Sequence, residues 1–278
     1  MKTMISVIKS IYDKLKKVAF LSPLLPSKDV IKKLRHRYRS FISFPFFFYI
    51  LHPLVLSKGV LFGTFIGTRL QAKTSWCVAP YFFLGTYEKE LQSIWSELLQ
   101  FKSQEWVIWV IGASEGYYAC GLGRIFQKSE IFAYETLENS RQILANNINI
   151  NELSERVTIL GSCEHGEFSS KLKHEQPNFI LCDIEGYEDT LFSLENISLL
   201  ENTILVIETH PPYGLLKLIP NLQKTHRVLR IEPQARTLQD YQGFPWLPNS
   251  KKYRWLNENR PFPTPWIFAV PKNLELSK

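Results

Sequence analysis

The sequence predicts an α/β fold in which a mostly parallel, seven-stranded sheet carries helices on both faces, behind an N-terminal helical and hairpin extension. Five short, apolar, β-rich runs alternate with polar or helical stretches, an order typical of a parallel sheet. Two later runs, HRVLRIE and WIFAVP, have no comparable helix between them, which favours an antiparallel pair at one edge. A hydrophobic share of 45% among 278 residues is ample for a buried core.

The first predicted region, residues 1–60, is a basic and apolar extension. In MISVIKSIYDKLKKVAF, apolar residues recur every three or four positions with lysines between them, which predicts a basic amphipathic helix. Residues 1–39 hold eight Lys and three Arg against Asp13 and Asp29, a net charge of +9, which leaves −2 for the rest of the +7 chain. Such a helix either lies on an anionic membrane surface or docks on the body of the protein.

The apolar stretch FISFPFFFYILHPLVL, from Phe41 to Leu56, closes this extension. Pro45 and Pro53 interrupt it, and it is shorter than the ~20 residues that a membrane-spanning helix needs. We therefore expect an interfacial or core-covering segment. The next region, residues 61–104, is predicted to hold one or two N-terminal strands between Leu61 and Leu84, which could pair as a hairpin and form a flap before the main domain. A lead-in helix is expected to follow within GTYEKELQSIWSELLQF.

The main domain is predicted at residues 105–272. Its parallel strands are expected at Val107 to Ile111, Ile131 to Tyr134, Val157 to Leu160, Phe179 to Cys182 and Ile204 to Ile207. In such a sheet, ligands bind beyond the carboxyl ends of the strands. The residues delivered there, in strand order, are Gly112, Ala113, Ser114, Glu115 and Gly116; Glu135; Ser162, Cys163 and Glu164; Asp183, Glu185 and Gly186; and Glu208 and His210.

The turn Gly112-Ala-Ser-Glu-Gly116 has features of a cofactor site. Its glycines allow close approach of the backbone to a ligand, and the following helix N-terminus suits a carboxylate or phosphate. Glu135 follows about 20 residues later at the end of the second strand, where a carboxylate can accept both hydroxyls of a ribose. Together these features indicate a nucleoside-containing cofactor, although turn glycines and a solvated strand-end Glu are common without one.

Four segments carry a family resemblance. VIGASEGYYACGLGRIF, FAYETLENSRQILANNIN, NFILCDIEGYEDTLF and VIETH resemble successive motifs of the FkbM family of S-adenosylmethionine-dependent methyltransferases. The similarity covers roughly Gly85 to His210 and implies a Rossmann-like class I methyltransferase fold with S-adenosylmethionine as cofactor. It also implies residue roles. The turn from Gly112 through Ala113, Ser114 and Glu115 to Gly116 would surround the methionine part, Glu135 would hold the ribose, Ser162, Cys163 and Glu164 would flank the adenine, and Asp183 would face the reacting end.

One position departs from the pattern of methyltransferases with this fold. Val110 stands where an acidic residue commonly precedes the first glycine by two places. Because that acid usually helps to orient the turn and the amino group of the cofactor, its absence predicts weaker cofactor binding or a lapsed enzyme. In the second case the chain would act through membrane or partner contacts of its basic arm.

The acceptor side is predicted from Asp183, Glu185, Glu208 and His210. These carboxylates and the imidazole converge at adjacent strand ends, and His210 has a suitable unperturbed pKa for a general base near neutral pH. Glu185 and Glu188 are equally compatible with capping the next helix. Oxygen ligands plus one imidazole suit Mg²⁺ or Mn²⁺, but no ligand spacing is diagnostic, so no metal is expected.

Composition and motifs limit the remaining classes. The full GxGxxG of a NAD-dependent oxidoreductase is missing. Because the body is not basic, no nucleic-acid partner is expected, and HPPYG follows the fifth strand rather than the fourth, where amino-methylating enzymes carry a similar motif. The four cysteines show no CxxC pair, which favours a reducing compartment. We expect a cytoplasmic location, with the basic arm either in peripheral contact with a membrane or docked on the body of the protein. The resemblance to the FkbM family, together with the acid-rich acceptor side, implies methylation of an oxygen on a small molecule or glycan.

Overall fold

The computed structural model of the protein describes residues 57–71, 80–210, 214–243, 245–258 and 264–276. These residues all belong to the compact unit His52–Lys278. The predicted basic helix and the Phe41 to Leu56 segment lie outside the described residues, so the expected membrane contact stays a prediction. Within the described ranges, no helix is long and apolar enough to cross a membrane.

Seven strands form one sheet. They are β1 (Val107–Ile111), β2 (Glu130–Tyr134), β3 (Val157–Leu160), β4 (Phe179–Cys182), β5 (Ile204–Glu208), β6 (His226–Ile231) and β7 (Trp266–Pro271). Their order is β3-β2-β1-β4-β5-β7-β6. The first five strands run parallel, and β7 is antiparallel to both β5 and β6. The predicted Rossmann-like class I methyltransferase fold, with its antiparallel edge pair, is confirmed.

Helices cover both faces of this sheet. They are α1 (Pro80–Phe83), α2 (Gln92–Leu98), α3 (Tyr117–Ile125), α4 (Glu138–Ile150), α5 (His165–Leu172), α6 (Glu188–Leu191), α7 (Leu194–Leu199), α8 (Gly214–Leu222) and α9 (Asn249–Leu256). Short 3₁₀ turns occur at Lys89–Leu91, Leu99–Phe101 and Leu238–Asp240. The predicted lead-in helix corresponds to α2.

The core consists of two apolar clusters, one on each face of the sheet. In β1, Ile108 and Val110 belong to one cluster, and Trp109 and Ile111 belong to the other. All four side chains are fully buried, because side chains alternate along a strand and helices cover both faces. Burial of each such side chain contributes about 1.5–3 kcal/mol to the stability of the fold. Val110 therefore occupies a place where a carboxylate would need a buried partner.

The strand register brings the predicted site residues to one edge. Ile111 pairs with Tyr134 on one side and with Cys182 on the other, and Cys182 pairs with Ile207. The ends of β1, β2, β4 and β5 are therefore level. The residues that directly follow these pairs are Gly112, Glu135, Asp183 and Glu208.

The region between Leu61 and Leu84 differs from the prediction. Its described residues, 61–71 and 80–84, form turns, bends and α1 rather than a hairpin of strands. The chain folds back on itself through the Val60 N–H, which donates to Thr68 O at 2.8 Å, and the Gly67 N–H, which donates to Val60 O at 2.7 Å. Positive φ angles at Gly59, Gly63 and Gly67 turn the backbone too sharply for an extended strand.

Candidate functional site

The glycine turn between β1 and α3 is held in an uncommon backbone conformation. The φ angles are +82° at Gly112, +49° at Ser114 and +98° at Gly116. A Cβ atom on Gly112 would lie 1.7 Å from the backbone oxygen of Asp183, so no side chain fits there. The turn after β1 and the first residue after β4 are thus packed directly against each other.

Glu135 stabilises this turn from the end of β2. Its Oε2 accepts the Ser114 N–H at 2.8 Å, and its Oε1 accepts the Leu137 N–H at 2.7 Å. The side chain is buried. Since a carboxylate offers about four lone-pair sites, two remain for a ligand. The sequence predicted a ribose ligand here, and the structure adds a role in shaping the turn.

A pocket of about 510 Å³, including its open mouth, lies against the turn. Its lining includes Gly112, Ala113, Ser114 and Glu115 of the turn together with Asp183. The remaining lining residues are aromatic or apolar: Leu70, Phe82, Tyr87, Tyr117 and Tyr118. The pocket therefore brings together four of the five predicted turn residues and Asp183, whereas Gly116 and Glu135 are not part of its lining. The segment before the main domain supplies Leu70, Phe82 and Tyr87.

Asp183 links this pocket to His210. Its Oδ1 lies 3.8 Å from His210 Nε2 and has no hydrogen-bond partner among the residues that the structure describes. Burial and the neighbouring Glu208 carboxylate raise the pKa of Asp183 well above its usual range. Glu208 is itself buried and accepts a hydrogen bond from the Thr264 hydroxyl. Two carboxyl groups thus lie side by side here, one of them almost fully buried, and the pair holds a proton more readily than two separate carboxyl groups would.

His210 lies at the centre of four carboxylates. Its Nδ1 is 2.8 Å from Glu188 Oε1. Its Nε2 is 3.4 Å from Glu185 Oε2 and 4.0 Å from Glu208 Oε2, in addition to Asp183. Since an ionised carboxylate can only accept, Nδ1 carries the proton in the Glu188 hydrogen bond. In the neutral ring, Nε2 is then the nitrogen with a free lone pair.

The pairing of His210 with Glu188 shifts both pKa values. Burial lowers the pKa of His210, but the carboxylates of Glu188, Glu208 and Glu185 outweigh it, and the net direction is upward. Burial raises the pKa of Glu188, but hydrogen bonds, first of all the one with His210, bring it below its usual value. Glu188 Oε1 also faces the N–H groups of Ile184 at 3.2 Å and Gly186 at 3.3 Å, which favour its ionised form.

Three side chains of this cluster could hold a metal ion. One ligand atom each from Asp183, Glu188 and His210 lie within 4.8 Å of one another. This grouping counts Glu188 as a ligand, but Oε1 of Glu188 already accepts the hydrogen bond from Nδ1–H of His210. The spacing permits a divalent cation, and the hydrogen bond competes with it.

Other predicted site residues lie outside the pocket lining. Ser162 donates to Glu164 Oε1 at 2.9 Å, and Cys163 packs against one of the core clusters. Burial raises the pKa of the Cys163 thiol to about 12, so it stays protonated at neutral pH. Their predicted contact with adenine stays a prediction. The Glu185 side chain is 87% exposed and reaches His210 from the solvent side.

Two sets of candidate functional residues were missed by sequence reasoning. Glu188 was interpreted only as a helix cap, although the sequence places it two residues after the Asp-Ile-Glu-Gly segment. The pocket residues Phe82 and Tyr87 were missed because Phe82 lies in the segment predicted as strands and Tyr87 lies in the lead-in to the predicted helix. Tyr117 and Tyr118, directly after the glycine turn, were the signal that pointed to a ring-lined pocket.

No protein-family model and no curated protein sequence match the chain. Solved structures with a similar fold include three methyltransferases. Precorrin-6y C5,15-methyltransferase from Geobacter metallireducens is 16% identical, with a TM-score of 0.44, over 65% of this chain and 88% of that one. The SAM-dependent O-methyltransferase from Thermotoga maritima is 15% identical, with a TM-score of 0.41, over 66% of each chain. An rRNA methylase from Streptococcus thermophilus is 11% identical, with a TM-score of 0.43, over 66% of this chain and 95% of that one. Similarity at this level concerns the fold and says nothing about the reaction of this chain.

Proposed function

We propose that this chain is an S-adenosylmethionine-dependent methyltransferase that methylates a hydroxyl oxygen of a small molecule or glycan. One observation carries the proposal. Asp183 lines the pocket at the glycine turn, and its carboxylate also lies 3.8 Å from Nε2 of His210. A cofactor pocket and a candidate general base thus meet at one residue, at the edge of the sheet where α/β proteins bind ligands. The resemblance to the FkbM family supports the same activity.

The residues present fit this cofactor. Two lone-pair sites of the Glu135 carboxylate suit ribose hydroxyls. The N-terminus of α3 follows Gly116 and has no side-chain cap hydrogen bond. The N–H groups of this helix end therefore suit the carboxylate of the cofactor. When bound, the sulfonium supplies an already activated methyl group. The buried, apolar side chain of Val110 cannot orient the glycine turn or the cofactor. The hydrogen bond that Glu135 accepts from the Ser114 N–H replaces part of what an acidic residue at position 110 would do.

The chain's own residues have two tasks in this reaction. His210 takes the hydroxyl proton on Nε2, because Glu188 keeps the other ring nitrogen protonated. Glu185 lies 3.4 Å from Nε2 and stabilises the imidazolium that forms. Asp183, 3.8 Å from Nε2, does so in its ionised form, which the positive charge of the imidazolium favours. The pocket aligns the acceptor oxygen for in-line attack, and alignment of this kind supplies a large share of the barrier reduction. We assign general-base catalysis to His210, support of its charged form to Asp183 and Glu185, and ring positioning to Glu188.

The test is calorimetric titration of the full chain with S-adenosylmethionine, with S-adenosylhomocysteine and with NAD as a control. We expect micromolar binding of the first two and none of the third. An acceptor screen with labelled cofactor, over small phenols, sugar alcohols and oligosaccharides, then identifies the substrate class. If folded protein binds neither methyl-cycle ligand, the proposal is wrong, and the lapsed module acting through its basic arm takes its place.

A further inference from the structure

The pocket has an unusual aromatic wall that the proposed reaction does not by itself require. The ring centroids of Phe82 and Tyr87 are 4.4 Å apart, and those of Phe82 and Tyr117 are 4.9 Å apart. Tyr87 and Tyr117 meet edge to face at 5.4 Å and 85°. All three residues line the pocket, together with Tyr118. We call Phe82, Tyr87, Tyr117 and Tyr118 the aromatic wall.

Acidic side chains accompany this wall. Asp183 and Glu115 line the same pocket, with the glycine turn. The fully buried Glu88 accepts a hydrogen bond from the hydroxyl of Tyr118, a member of the wall. Burial first, and Glu88 second, raise the pKa of Tyr117 and Tyr118 far above that of a free phenol, so both rings stay neutral. Aromatic faces and carboxylates share one electrostatic preference, since both attract a cation and disfavour an anion.

The wall is held in place rather than loosely packed. Glu88 has a left-handed φ of +45° and donates its N–H to Glu258 Oε1 at 3.0 Å. Tyr87 also stacks on Tyr81, with centroids 5.7 Å apart and planes 23° apart. A fixed set of rings loses little freedom when a ligand binds, which makes weak cation–π contacts count more.

We propose that the aromatic wall recognises the positive charge of the sulfonium, so that the pocket distinguishes S-adenosylmethionine from its uncharged thioether product. The inference rests on the proposed function, because it assigns a role within the same cofactor pocket. The wall lines the same pocket as the glycine turn, and Asp183 supplies a carboxyl group to that lining. After methyl transfer the sulfur carries no charge, so the wall loses its attraction for the product and favours release.

The test measures the ratio of dissociation constants, S-adenosylhomocysteine over S-adenosylmethionine, for wild type and matched pairs at position 87. Tyr87→Phe keeps the ring and Tyr87→Leu removes it. We expect the ratio to stay within about 2-fold for Tyr87→Phe and to fall by about 2- to 20-fold for Tyr87→Leu, the range of exposed to desolvated cation–π contacts. Sinefungin, which carries an ammonium near the position of the sulfonium, should follow S-adenosylmethionine. Tyr253→Leu, at a half-exposed ring on α9, is the control for ring loss elsewhere.

The outcomes separate this inference from the function on which it rests. If Tyr87→Leu and Phe82→Leu weaken both ligands equally and leave the ratio unchanged, the wall is only apolar packing and the inference is overturned, while the methyltransferase function stands. If the wild-type protein binds none of the three ligands, both proposals fall. Unfolding midpoints of each variant decide whether the titrated protein is folded. If Tyr87→Leu does not fold, the Phe82→Leu ratio and the wild-type preference for sinefungin over S-adenosylhomocysteine decide in its place.

Discussion

Oε1 of Glu188 lies 2.8 Å from Nδ1 of His210, and this contact determines which nitrogen of the ring can take a proton. The Glu188 side chain is only 2% exposed, so its charge acts on the imidazole with little screening by water. Because Glu188 follows Asp183 by five residues, the same short segment supplies the pocket carboxylate and the group that orients His210.

Replacement of Glu188 by Gln should move the pH dependence of turnover. His210 must be neutral to accept a proton, and its pKa is raised above the usual value, chiefly by Glu188 against the effect of burial. Turnover of the wild type should therefore rise with pH through a midpoint above about 6.5. In Glu188→Gln the midpoint should fall, and in Glu185→Gln, which removes an exposed carboxylate, it should move less. The same midpoint in wild type and Glu188→Gln would contradict the assignment.

Replacement of His210 by Ala should lower turnover by about 10²- to 10⁴-fold, the usual contribution of a positioned general base. The affinity for S-adenosylmethionine should change by less than about 2-fold, since the proposal places His210 beside the acceptor hydroxyl and not on the cofactor. Single-turnover rates and calorimetry on the same preparation separate the two effects. Equal loss of turnover and of affinity would indicate a structural role for this ring.

Replacement of Glu135 by Gln should weaken binding of S-adenosylmethionine by about 1–3 kcal/mol, the cost of losing charged hydrogen bonds. Gln retains one carbonyl oxygen for a backbone N–H, so the turn should be disturbed less than by Ala. The matched control is Glu138→Gln, an exposed carboxylate that pairs with Arg141 on the same helix end. If Glu135→Gln and Glu138→Gln bind the cofactor equally well, the ribose assignment of Glu135 is wrong.

Replacement of Asp183 by Asn should stabilise the fold while it impairs the reaction. Folding raises the pKa of Asp183, so the native state binds its proton more readily than the unfolded chain does. The contribution of Asp183 to stability therefore falls as pH rises from its unfolded pKa through its raised folded pKa. We expect Asp183→Asn to add about 0.5–2 kcal/mol to the free energy of unfolding at neutral pH, as is usual when a functional charge is removed. Denaturant melts at neutral and acidic pH measure this gain, which should be smaller in acid; a loss at neutral pH would contradict the reasoning.

Methyl transfer should proceed after treatment with EDTA. The Nδ1 proton of His210 is directed at Glu188, which leaves that oxygen engaged, although Asp183, Glu188 and His210 have a spacing that a cation could use. Turnover with and without EDTA, then with added Mg²⁺ or Mn²⁺, tests this. Loss of activity with EDTA and its recovery with Mn²⁺ would assign the cluster to metal binding and remove His210 as the base.

The sheet could be predicted from the sequence because its strands are continuous apolar runs that end at polar residues. Val107–Ile111, Val157–Leu160 and Phe179–Cys182 begin and end where expected. The conformation of the segment between Leu61 and Leu84 could not be predicted, because Phe65 packs against aromatic residues of α2 and α3 rather than against a paired strand. Local patterns do not record such a contact.

The candidate site was likewise predictable only in part. Gly112, Glu135, Asp183 and His210 follow strand ends, so topology alone brought them together. The role of Glu188 depends on a hydrogen bond across 22 residues, and the aromatic wall joins residues from two regions of the chain. Neither contact produces a periodicity or a residue spacing that could be recognised in the sequence.

The aromatic wall depends on residues far along the chain. Glu88 donates its N–H to Glu258, 170 residues away, and Glu90 accepts a hydrogen bond from Arg236, 146 residues away. Lys89 pairs with Asp240 at 2.6 Å. During synthesis at 5–20 residues per second, the segment around Glu88 must therefore wait roughly 10–30 s for its partners to be made. The order of translation thus delays these contacts until synthesis has passed Arg236 and Glu258, and a ribosome-bound chain that ends before Arg236 should lack them.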